Sequence, residues 1–174
     1  MALYFLSFII GILYYNSTYE GFSSVETKEG YYEFIRGVNF SDNFAGNFIN
    51  IFVHNLIASL VRILGGILLG VIPIFFIING AITNSYSLVS FAVDDSLVKS
   101  LLLFVPHSLF EIPALMLSSS FGLMLFLTLF GKKKKIENLK NSIKDSLIIF
   151  LLWILPLLFV AAIIESILIM IYWF

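Results

Sequence analysis

The chain has 174 residues, of which 60% are hydrophobic and 12% charged, with a formal net charge of −1 and no cysteine. A soluble domain carries roughly 25% charged residues, so this composition excludes an ordinary water-facing surface, and the small net charge excludes the basic field of a nucleic-acid-binding protein. The absence of cysteine excludes disulfides and thiol catalysis. We therefore predict an all-α integral membrane protein in contact with the lipid bilayer, because helices satisfy their own backbone groups in lipid.

The first predicted element is an apolar segment at about residues 1–18. No cationic residue precedes it and no convincing small-residue cleavage site follows it, so we expect a retained span rather than a signal peptide. The polar stretch at about 16–46 predicts an external loop. Its aromatic residues interleave with charges, which fits an ordinary loop or a helix lying on the membrane interface.

The next apolar stretch is far longer than the roughly 20 residues that one span requires. We predict two spans, at about 48–66 and 68–92, with the break near Gly65 and Gly66, because glycine interrupts helices. The alternative is a single tilted helix. It would hold Arg62 at mid-depth, where a charge is costly, and would leave four spans instead of five.

The fourth predicted span covers about residues 100–130, and the fifth covers about 146–171. Between them lies a basic loop, 131–145, with four consecutive lysines. Cationic loops remain in the cytoplasm. Five spans then give a multi-pass cell-membrane protein with a cytoplasmic amino terminus and an external carboxyl terminus, whereas four spans would place the amino terminus outside.

His107 and Glu111 form an uncommon pair of ionisable residues, one helical turn apart, inside the fourth span. We expect Pro106 to end a half-helix there, which gives a broken or kinked helix. An ionisable residue inside a span is a functional candidate by default. The structural alternative is a hydrogen-bonded pair that fastens the helix to Asn79 or Asn55.

Metal binding is a further hypothesis, because His54, His107 and Glu111 are a catalytic zinc set in residue type. No His-Glu-x-x-His motif is present. We therefore predict no cofactor and no catalytic residue, and we keep these three residues as metal candidates. Glu165, in the last span, is expected to reach water at the outer interface.

Small residues follow the faces of the predicted helices, where they would let neighbouring backbones approach. Together with two prolines that interrupt helices, they predict packing and break positions, and they favour a homo-oligomer, in the simplest case a dimer. The positions are Gly65, Gly66, Gly70, Gly80, Pro106, Pro113 and Gly122.

The polar and small residues also form a spaced set over about the central half of the chain. Its members are Phe52, Asn55, Gly66, Gly70, Asn79-Gly80, Pro106-His107, Glu111 to Ala114 and Gly122-Leu123. This set resembles the stage II sporulation protein M family, whose archaeal and bacterial members are small multi-span proteins. The resemblance implies a non-enzymatic membrane role. In sporulating bacteria, the family member acts with peptidoglycan-remodelling partners during engulfment.

Three functions follow from these observations. The first is a scaffold or accessory subunit in membrane or envelope remodelling that recruits other membrane or envelope proteins, and it is favoured because nucleotide and complete catalytic motifs are absent. The second is a transporter or permease component with a polar path at His107, Glu111 and Asn79. The third is an intramembrane metal-dependent hydrolase.

Overall fold

The computed structural model describes residues 1–22, 41–68, 70–94, 96–130 and 135–173, and among these residues it contains helices and no strand. The helices are α1 (Ala2–Phe22), α2 (Phe44–Leu68), α3 (Val71–Asp94), α4 (Leu97–Phe130), α5 (Lys135–Ile149) and α6 (Leu155–Trp173), with a π-helical segment, Phe150–Ile154, between the last two. The prediction of a polytopic all-α membrane protein is confirmed.

Within the described residues, four apolar segments are long enough to cross a membrane, and one apolar helix is shorter. The long segments are Phe44–Ile67, Val71–Val89, Leu97–Phe130 and Leu139–Tyr172, and the shorter helix is Ala2–Tyr15. The stretch after the predicted external loop forms two helices rather than one tilted helix, because α2 ends at Leu68 and α3 begins at Val71. Most of the external loop, at 23–40, lies outside the described residues.

The predicted basic loop differs from the structure, because its described part is helical from Lys135 onward. This segment contains lysine, glutamate, leucine and isoleucine, and lysine, glutamate and leucine are good helix formers. Ser142 of α5 lies beside Thr128 of α4, with 3.4 Å between their hydroxyl oxygens. The described part of the predicted loop is therefore a helix that packs against the end of α4.

The centre of the fold is α4, which contacts α2, α3, α5 and α6, while α1 packs against α3. Its 34 residues continue through Pro106 and Pro113 without interruption. The half-helix expected to end at Pro106 is therefore absent. A proline removes one backbone hydrogen bond from a helix, and in lipid no water competes for the remaining ones.

The helices α2 and α4 touch at a pair of glycines. A Cβ atom placed on Gly66 would collide with the backbone carbonyl of Gly122, and one placed on Gly122 would collide with the carbonyl of Arg62. A Cβ atom placed on Gly70 would meet the Phe126 ring, four residues beyond the Gly66–Gly122 contact in each segment, so α2 and α4 run in the same direction. Equal rise per residue then places Asn55 at the level of Glu111.

The apolar core lies on one side of α4 and the lipid-facing surface surrounds it. Buried members of the core are Ile63, Ala114, Leu125, Phe150, Ile154 and Leu158. Large apolar side chains also point outward, including Leu109 at 66% exposure and Leu152 at 65%. Apolar exposure on this scale marks a surface that contacts lipid or other proteins.

Candidate functional site

The fold brings three ionisable side chains together in the membrane layer. His107 and Glu111 come from α4 and Glu165 comes from α6, and one ligand atom from each lies within 4.8 Å of the others. His107 is 3% exposed and Glu165 is 5% exposed, while Glu111 is half-buried. We call these three residues the His-Glu-Glu group.

Helix geometry explains how the group forms. His107 and Glu111 are four residues apart and share one face of α4. The first half of α2 packs along α6 in antiparallel order, because the Asn47 amide lies 3.8 Å from the sulfur of Met170 near the end of α6 and the Phe52 ring lies 5.9 Å from the Phe159 ring near its start. This antiparallel packing carries Glu165 to the level of the α4 pair.

A fourth charge, Arg62, approaches from α2. It is 6% exposed, its guanidinium carbon lies 4.8 Å from the centre of the Phe76 ring, and the Glu111 carboxylate acts on it electrostatically. Helical side chains lean toward the amino end of their helix. Arg62 therefore leans from the contact between Gly66 and Gly122 toward the level of Glu111. It therefore belongs to the same electrostatic network as the His-Glu-Glu group.

A small cavity adjoins Arg62 on the side of α1 and α3. Its lining includes Tyr4, Arg62, Phe76, Gly80, Asn84 and Ser119. The Asn84 amide donates a 2.9 Å hydrogen bond to the Tyr4 hydroxyl. Among the described residues, Nη1 of Arg62 and the hydroxyl of Ser119 are buried without a hydrogen-bond partner. The remaining lining residues are the apolar Ile77, Ile112, Leu115 and Met116, so these polar groups lie in a largely apolar cavity.

The group and Arg62 carry unequal numbers of acidic and basic charges. With a neutral imidazole, the two carboxylates exceed the single guanidinium by one negative charge. A buried charge without compensation costs several kcal/mol. A proton or another cation bound among the three residues would reduce this excess, and Glu111 is the most exposed of them.

The remaining residues predicted from the sequence take different places. Asn55 is buried, but Asn79 is exposed on α3, where its backbone carbonyl accepts a 2.9 Å hydrogen bond from the Thr83 hydroxyl. His54 is also exposed and is not part of the His-Glu-Glu group.

Two acidic or basic residues were misplaced by sequence reasoning. Glu165, expected to reach water, is buried and supplies the third member of the group. Arg62, which the five-span prediction kept away from mid-depth, is buried and interacts electrostatically with Glu111. The available signal for both was a charged residue within a long apolar segment, which marks a functional or paired site.

Comparison with known proteins gives one family match. The sequence model described as "Stage II sporulation protein M" matches residues 1–168, which is nearly the whole chain and includes every residue of the His-Glu-Glu group. No curated protein and no solved structure matches.

Proposed function

This chain belongs to the stage II sporulation protein M family, and we propose that it is a non-enzymatic assembly subunit of the membrane. In this role it associates with a second copy of itself and with other membrane or envelope proteins during envelope remodelling. The observation that supports this proposal most directly is the exposed amide of Asn79 on α3.

Asn79 lies near the middle of the span Val71–Val89. A primary amide that faces hydrocarbon loses its hydrogen bonds to water, which is costly. Such side chains commonly bond across to another membrane helix. The exposure of Asn79 therefore predicts a helix of another chain at this position.

The surroundings of Asn79 suit helix packing. Val71 and Phe75 lie two turns and one turn before it on the same face, and both are exposed, at 69% and 59%. This face, which we call the α3 outer face, combines an apolar strip with one central amide. In a symmetric pair the two amides would donate and accept reciprocally, because each carries both a donor and an acceptor.

The other two candidate functions have less support. A transport site at a broken helix requires α4 to be interrupted, whereas α4 continues through Pro106. A hydrolase that uses His54, His107 and Glu111 requires these residues to meet, whereas His54 is exposed and outside the group.

Cysteine cross-linking tests self-association at the α3 outer face, because the chain has no native cysteine. We expect Phe75→Cys to form a disulfide-linked dimer in native membranes. Adding Asn79→Leu should reduce the dimer about fivefold, since a hydrogen bond between membrane helices contributes about 1 kcal/mol. The matched control is Leu152→Cys, which is comparably exposed on a different segment and should not cross-link.

Two outcomes would count against the proposal. Equal cross-linking of Phe75→Cys and Leu152→Cys would mean random collision in the membrane. Absence of any cross-linked copy, combined with purification from native membranes that recovers no other protein, would remove the assembly role.

A further inference from the structure

We propose that the His-Glu-Glu group binds one divalent transition-metal cation, of the kind represented by Zn²⁺, inside the membrane layer. The inference rests on three donors that converge, one imidazole nitrogen and two carboxylate oxygens, all within 4.8 Å of one another. The proposed site lies inside the bundle, where α2, α4 and α6 pack together, and the proposal does not depend on the α3 outer face.

The distances suit a single ion after small side-chain adjustments. Zinc binds imidazole nitrogen and carboxylate oxygen at about 2.0–2.2 Å, so donors around one zinc ion lie roughly 3–4 Å apart. Three protein ligands and an open fourth position are a common zinc arrangement. Glu111 is the most exposed member of the group, and it marks the side from which a water could complete the coordination.

The imidazole is held by its neighbours. The Phe104 ring meets the His107 ring edge to face, with 5.9 Å between centroids and 77° between planes. This contact restricts rotation of the imidazole and favours one orientation of its two ring nitrogens. A ligand whose orientation is fixed in advance binds a metal more tightly than a mobile one.

Charge provides the reason for a cation. Arg62 interacts electrostatically with the Glu111 carboxylate, and the group sets two carboxylates against this one guanidinium while the imidazole is neutral. A divalent ion placed among the three donors would attract both carboxylates in a region where water screens little. Arg62, through its interaction with Glu111, would then act as an outer partner that orients this ligand.

The donor types select the class of metal. Calcium takes six to eight oxygen ligands and magnesium retains several waters, whereas imidazole mixed with carboxylate suits zinc, iron and manganese. Zinc is therefore the first probe. A shared proton between the two carboxylates is the competing occupant, and the titration with Zn²⁺ distinguishes it from a metal.

The test is metal loading of the full chain purified in mild detergent through a tag that contains no histidine. After removal of metals with a chelator, the protein is titrated with Zn²⁺, and bound zinc is counted by elemental mass spectrometry. We expect one zinc per chain and a rise in the thermal unfolding temperature. Glu165→Gln should weaken zinc binding at least about 100-fold, since loss of even an outer partner costs about 10- to 100-fold.

The matched control is His54→Ala, which removes the chain's other histidine and should leave zinc binding unchanged. If Glu165→Gln does not fold, X-ray absorption at the zinc edge of the wild-type protein decides the matter, because the site requires one imidazole and at least two oxygen donors. Substoichiometric zinc, a spectrum without imidazole, or equal loss of zinc in His54→Ala would overturn the proposal. Cross-linking of Phe75→Cys should persist in Glu165→Gln, so failure of one proposal is distinguishable from failure of the other.

Discussion

Two polar regions within the membrane layer differ in how their polar groups are compensated. Between α2, α4 and α6, the chain gathers two carboxylates, an imidazole and a guanidinium from separate helices and buries them together. On the α3 outer face, a lone amide points away from the bundle. The first region shows polar groups satisfied mainly within one chain, and the second indicates a place where another chain is needed.

The largest expected effect follows from removing the Arg62 guanidinium from the buried region. Arg62→Met removes the guanidinium that interacts with Glu111, and loss of one partner of a buried charge pair costs about 3–5 kcal/mol of stability. Unfolding in mixed detergent micelles measures this change. The control is Lys99→Met, whose ammonium lies 5.7 Å from the Tyr172 ring centre and whose loss should cost less than about 1 kcal/mol.

A second substitution sharpens the result for Arg62. The double variant Arg62→Met/Glu111→Gln should recover most of the lost stability, because it removes both members of the pair instead of leaving Glu111 charged without its guanidinium. If the double variant is no more stable than Arg62→Met alone, the two side chains are not energetically linked and the buried region is not one network.

The next effect concerns the close contact of α2 with α4 at Gly66 and Gly122, beside which Arg62 lies. Gly122→Ala adds a Cβ that would collide with the Arg62 carbonyl, and we expect a loss of about 2–3 kcal/mol from the forced shift of the backbones. The matched control is Gly80→Ala, where the added Cβ would meet Arg62 Nη2 at 3.7 Å, an ordinary contact. That variant should be neutral or slightly stabilised, since alanine favours helix. Equal losses in both variants would mean that the crossing is not close-packed.

The smallest expected effect distinguishes two adjacent serines. The Ser119 hydroxyl is buried without a hydrogen-bond partner among the described residues, so Ser119→Ala should be neutral or stabilise the protein by less than about 1 kcal/mol. The Ser118 hydroxyl donates a 2.9 Å hydrogen bond to the Ala114 carbonyl, and Ser118→Ala should cost about 0.5–1 kcal/mol. A larger loss for Ser119→Ala would show that the cavity beside Arg62 supplies that hydroxyl with a partner.

Sequence reasoning predicted local relationships well. Composition decides between lipid and water as the outer environment, which is why the fold class was predictable. The pairing of His107 with Glu111 was equally predictable, because a separation of four residues places side chains on one helical face.

Relationships between helices were not predictable in the same way. Glu165 lies 54 residues after Glu111 in the chain, and their proximity depends on how α6 packs, which periodicity does not encode. The depth of Arg62 depends on the crossing of Gly66 with Gly122, and a span length carries no information about depth. At Pro106 the local preference for a break was wrong, because the requirement for satisfied backbone groups in lipid outweighed it.

Native mass spectrometry of the protein in mild detergent tests the difference between the two regions most directly, because one spectrum gives both the number of chains and the mass of bound ions. We predict a wild-type dimer with one divalent cation per chain, and an Asn79→Leu monomer that retains its cation. A wild-type monomer without bound metal would contradict this account. So would an Asn79→Leu chain that loses both its partner and its cation, because the buried site would then depend on the outer face.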